Sequence, residues 1–164
     1  MTPIARILIA GFGSVDRGDD GVGALVAARV AERMPATNNV GPISDPLDLL
    51  TEFNGADLVI VVDALRSGTP PGTIRTLEMD VSDTSGANGR AEPVRGGSST
   101  HGIGLAGVLR IARALGQTPR RLVVIGIEGG SFNLGNGLSE AVSAAIPEAV
   151  ARALEIIEEV CACA

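Results

Sequence analysis

Apolar residues follow two rhythms along this chain. Short apolar runs occur in "IARILIAG" (Ile4 to Gly11), which ends in glycine, "ADLVIVVDA" (Ala56 to Ala64) and "RRLVVIGIEG" (Arg120 to Gly129). Runs of this kind predict strands buried on both faces of a parallel sheet. Between them the spacing turns helical. "GVGALVAARVAERM" from Gly21 places Val22, Leu25, Val26 and Val30 on one face, with Asp19 and Asp20 before it as N-cap or first-turn acids and Pro35 closing it. "GLAGVLRIARALG" (Gly104 to Gly116) is amphipathic and ends on glycine. "GLSEAVSAAIPEAVARALEIIEEV" predicts a long terminal helix with Ser139 as N-cap, kinked or split at Pro147.

Weaker signals fill the gaps. "NNVGPI" predicts a short strand, and "PLDLLTEF" a short helix after Pro46. "GTIRTLEM" (Gly72 to Met79) alternates and follows a Pro-Pro-Gly turn, so it predicts an edge strand. Its connection from Ala64 is too short for a crossover helix, which makes it antiparallel. Residues 80 to 100 are rich in Ser, Gly, Asp and Thr and predict a long surface loop. Strands alternate with helices. The expected fold is therefore α/β, one domain over residues 1–164, with a mostly parallel twisted sheet and helices on both faces.

Composition narrows the function classes. The chain has 164 residues and a net charge of −6, which disfavours nucleic acid and anionic membranes as partners. Hydrophobic residues make up 45% but aromatics only 2%, so the core must be built from Val, Ile, Leu and Ala. No apolar run approaches the roughly 18 residues of a membrane span. "MTPIARILIAG" lacks the pattern of a signal peptide, so a cytoplasmic location and a monomer are the default expectations. Cys161 and Cys163 form a poor disulfide candidate and predict a reduced, frayed tail.

In a parallel sheet, ligands bind beyond the carboxyl ends of the strands. Three features collect there: the loop "GFGSVDRGDDGVG" (Gly11 to Gly23), Asp63 ending "VIVVD", and His101 ending the long loop. The glycine loop resembles a phosphate cradle, which keeps a nucleotide or phosphorylated ligand as one alternative. Yet it matches neither the dinucleotide fingerprint nor the triphosphate loop, and Asp19 and Asp20 put anions where phosphate would sit. At about 4 Å, like charges in a partly desolvated site repel by several kcal/mol. Asp20, Asp63 and His101 instead offer two carboxylates and an imidazole, a mixed donor set for nickel, zinc or another divalent metal. Asp63 could equally cap its turn, and His101 could be a loop residue bonded to backbone. A Ser–His–Asp arrangement stays open because Ser98, Ser99 and Thr100 precede His101, although no Gly-x-Ser-x-Gly elbow accompanies them.

The order "ILIAGFGSVDRGDDGVG", "LVIVVDA", "STHGIGLAGVL", "LVVIGIEG", "GLSEAV" resembles the hydrogenase maturation proteases from about Ile7 to the terminal helix. The resemblance implies a five-stranded sheet. It also implies an endopeptidase that trims the C-terminal extension from a nickel–iron hydrogenase large-subunit precursor. Carried over by position, its metal-engaging residues are Asp20, Asp63 and His101, acting on nickel already loaded in the substrate. The sequence departs from the family pattern in two places. Ser14 stands where the family usually has Asn, and "GPISDPLDLL" replaces a frequent Asp-Gly-Gly-Thr stretch. Those departures motivate an alternative, a non-enzymatic protein that binds metal or the metal-loaded precursor.

Overall fold

The computed structural model describes residues 5–82 and 104–163. Its framework is a five-stranded sheet built from β1 (Ile7–Phe12), β2 (Asn38–Ile43), β3 (Leu58–Leu65), β4 (Ile74–Met79) and β5 (Leu122–Glu128), in the order β2-β1-β3-β5-β4. The pairs β1–β2, β1–β3 and β3–β5 are parallel. β4 runs antiparallel to β5, with Ile74 opposite Ile127 and Met79 opposite Leu122. The short connection from β3 forces this reversal, because it holds no helix to carry the chain back. β5 takes the place beside β3, so β4 lies outside it, at the edge.

Strand alternation sorts the core into two layers. Ile7, Ile9, Leu58, Ile60 and Val62 face α1 (Val22–Arg33) and α4 (Glu140–Cys163). Leu8, Ala10, Phe12, Val59 and Val61 face the opposite way, towards α2 (Leu50–Phe53) and α3 (Leu105–Ala114). The middle strands β1 and β3 are buried except at Asp63, which is why they read as nearly continuous apolar runs. Each fully buried Leu or Ile contributes about 1.5–3 kcal/mol. With so few aromatics, many such side chains are needed. Phe53 is the fully buried aromatic: one turn of helix, preceded by a 3₁₀ turn at Pro46–Leu49 that Asp45 caps through the Leu47 N–H, drives it into the core.

The terminal helix differs from expectation at two points. It is one continuous helix of 24 residues, unbroken at Pro147. Pro147 and Ser143 both face solvent, so the carbonyl that loses its helical donor is open to water. The hydroxyl of Ser139 donates to Asp19, and its carbonyl accepts from the Ser143 N–H. Cys161 and Cys163 are free and exposed, as expected, yet they lie within the last helical turn and not in a frayed tail.

Candidate active site at the carboxyl edge of the sheet

Three loops meet where β1, β3 and β5 end. The first runs from Gly13 through a 3₁₀ turn at Gly18–Gly21 into α1. Its position is set by main chain touching main chain. A Cβ on Gly23 would lie 2.3 Å from the Val62 carbonyl oxygen, and one on Gly11 would lie 2.3 Å from the Gly23 backbone. Only hydrogen at both positions lets the start of α1 rest on β1 and β3, one residue short of Asp63.

That contact brings Asp20 and Asp63 together. Asp20, half-buried, accepts a hydrogen bond from the Ser14 N–H at 2.7 Å. The bond uses backbone, so the side chain at position 14 is not what holds the turn. Asp63 follows Val61 and Val62 in strand alternation and therefore points to the α3 side. Burial pushes the Asp63 carboxyl up to about 7; the Ala64 N–H works against this, and the charge of Asp20 adds to it. A carboxyl in that range holds or releases a proton near neutrality.

His101 lies outside the described residues, as do Ser98, Ser99 and Thr100. The helix that follows it, α3, ends shortly before β5 begins at the opposite edge, so its first turn at Leu105 faces the carboxyl edge on the Asp63 side. Among the described residues, no group of three His, Cys, Asp or Glu side chains could hold a metal alone. What they bring together is the Asp20–Asp63 pair.

Asp19 does not cap α1. It is completely buried and turns away from Asp20 towards the loop after β5. It accepts from the N–H groups of Gly130 (2.7 Å), Ser131 (2.9 Å) and Ser139 (2.6 Å) and from the Ser139 hydroxyl (2.9 Å). Burial alone would raise its pKa, but these donors outweigh it and hold the carboxyl below its ordinary value. Glu128, unremarked in the sequence, is a second acid of this kind. It is 2% exposed and accepts from the N–H groups of Ser67 and Gly68 and the Ser67 hydroxyl. Burial again pushes upward, and the hydroxyl and N–H groups of the Ser67–Thr69 turn bring the net shift down. The turn that follows Asp63 is thereby fastened to the end of β5. Arg66 completes it, lying 3.7 Å over the Phe132 ring. Neither acid announces itself in sequence, because its partners are backbone groups far along the chain.

Residues 44–156 match the profile of the hydrogenase maturation protease family. The chain belongs to that family. It is 31% identical over 153 residues to the hydrogenase expression/formation protein HupD of Rhodobacter capsulatus, covering 91% of this chain and 70% of the relative. Over 158 residues it is 27% identical to the hydrogenase 2 maturation protease of Escherichia coli (strain K12), covering 94% and 92%. The solved hydrogenase maturating endopeptidase HybD from E. coli aligns with a TM-score of 0.74 at 25% identity, over 94% of this chain and 93% of that one. Membership makes this hydrogenase maturation protease family member a hydrolase of peptide bonds. Among the described residues, no helix is long and apolar enough to cross a membrane.

Proposed function

We propose that the protein removes the C-terminal extension of a nickel–iron hydrogenase large-subunit precursor, and that Asp20, Asp63 and His101 engage the nickel already held by that substrate. Support comes from the carboxyl edge itself. Asp20 and Asp63 share one place, and no arginine or lysine among the described residues forms an ion pair with either. Two close, uncompensated carboxyls favour an incoming cation. Asp63 gives up its proton when the cation arrives, which couples engagement to pH. Asp20, held by the Ser14 N–H, orients the loaded precursor.

The test is direct. Incubation with nickel-loaded precursor should release a C-terminal peptide, seen by mass spectrometry, while nickel-free precursor stays intact. Cleavage left unchanged by both Asp20→Asn and His101→Ala would sink the three-residue site. Tight binding of the loaded precursor without any cleavage would favour the non-enzymatic reading. Because Ser14 holds Asp20 through its backbone, replacing Asn at that position does not by itself argue for lost activity.

A further inference from the structure

We propose that Asp19 is a positioning residue for the reaction: its buried carboxylate clamps the loop after β5 to the turn that carries Asp20. The inference rests on the proteolytic reading of the carboxyl edge for its consequence in activity, but not for its geometry. Asp19 and Asp20 are neighbours with opposite duties. Asp20 reaches back to the Ser14 N–H within its own loop. Asp19 reaches across 111 to 120 residues of sequence to Gly130, Ser131 and Ser139. The clamp is reciprocal, since the Asp19 N–H donates to the Ser131 carbonyl at 2.8 Å. A second strap joins the same two loops, from the Gly135 N–H to the Asp16 carbonyl at 3.0 Å.

The fit is too close for slack. Gly18 has φ +57°, and a Cβ there would lie 2.5 Å from the Ser131 carbonyl oxygen. Gly129 and Gly130 both lie against the Asp19 side chain. The turn Gly18–Gly21 thus cannot shift without dragging the loop after β5, and the reverse holds as well. Asp20 sits in that turn, so its placement opposite Asp63 depends on a carboxylate that never meets the substrate. The clamp also holds Val15 and Leu134, 61% and 74% exposed, on the two joined loops beside the site. A misplacement of about 1 Å in such a site can cost about a hundredfold in rate.

Asp19→Asn is the informative change. It keeps the shape of the side chain but turns an amide donor towards groups that are themselves donors. Hydrogen exchange at the Ser14 amide reports Asp20's position without needing catalysis. In Asp19→Asn, that amide and those of Gly130, Ser131 and Ser139 should exchange at least about tenfold faster. The control is Ile157→Ala, a fully buried α4 residue in the core, which should lower the melting temperature yet leave Ser14 protected. Measured well below both melting points, Asp19→Asn should cut kcat for precursor cleavage by about tenfold or more with KM little changed. The control should cleave normally. Unchanged Ser14 protection in Asp19→Asn, or equal losses in both variants, would overturn the proposal. If the wild-type protein cleaves no precursor, the proteolytic reading fails, and Ser14 exchange still decides the positioning role.

Discussion

The two edges of the sheet handle their acids in opposite ways. At the amino edge, acids meet arginines. Arg6 pairs with Glu52, Arg120 with Asp57, and Arg121 with both Glu78 and Glu159. At the carboxyl edge, Asp19 and Glu128 are satisfied by N–H and hydroxyl groups, Asp20 accepts from the Ser14 N–H, and Asp63 is bonded by the Ala64 N–H within reach of the Asp20 charge. The amino edge is thus neutralised by counter-ions, while Asp20 and Asp63 at the carboxyl edge have no ion-pair partner among the described residues. The difference teaches where a cation can bind. A carboxylate held by neutral dipoles stays anionic without a counter-ion, whereas one paired with guanidinium has no charge to offer.

The largest expected effect is at Asp63. Asp63→Asn should lower precursor cleavage by at least about a hundredfold while leaving the folded protein no less stable at pH 7.5, read by peptide release and by thermal melting. A variant that cleaves well would erase the functional half of the contrast. Next comes the backbone contact beneath the site. Gly23→Ala puts a methyl into the Val62 carbonyl and should cost about 1–3 kcal/mol by urea denaturation, with cleavage falling as well. An unchanged midpoint would mean that α1 can back away freely.

The pH dependence of Asp63 sharpens the contrast further. Its carboxyl titrates about 7 when folded and 3.8 when free, so the folded state holds the proton more tightly. Its contribution to stability is full below the free value and is lost as pH rises through about 7. Affinity for added Ni²⁺ should move the other way, rising about tenfold per pH unit up to about 7 and then levelling, as calorimetry would show. In Asp63→Asn both trends should flatten. The smallest effect belongs to the amino edge. Arg121→Ala should cost about 1 kcal/mol or less, fading in high salt, and leave cleavage intact. A large loss of cleavage there would break the division between the two edges.

Much of this was legible from the chain. Buried runs and helical spacing marked the strands and helices, and strand-end logic brought Asp20 and Asp63 to one edge. Asp19 was not legible as a clamp. The acid looked like a helix cap because caps are local and recognisable, whereas its true donors are backbone N–H groups on another loop. Glu128 was hidden for the same reason, as the last residue of an apolar strand. Pro147 does not split its helix; it lies on the exposed face, as does Ser143, whose carbonyl loses its helical donor.

The contact of Gly11 and Gly23 has a bearing on how such a protein can change over time. Elsewhere in the core, one side chain can shrink as another grows, and helices slide to follow. Where Gly11 and Gly23 meet, under the first turn of α1, there is no side chain to trade. The spacing between Asp20 and Asp63 is therefore insulated from drift in the rest of the interior, and sequence can diverge widely around a site whose floor is made of backbone.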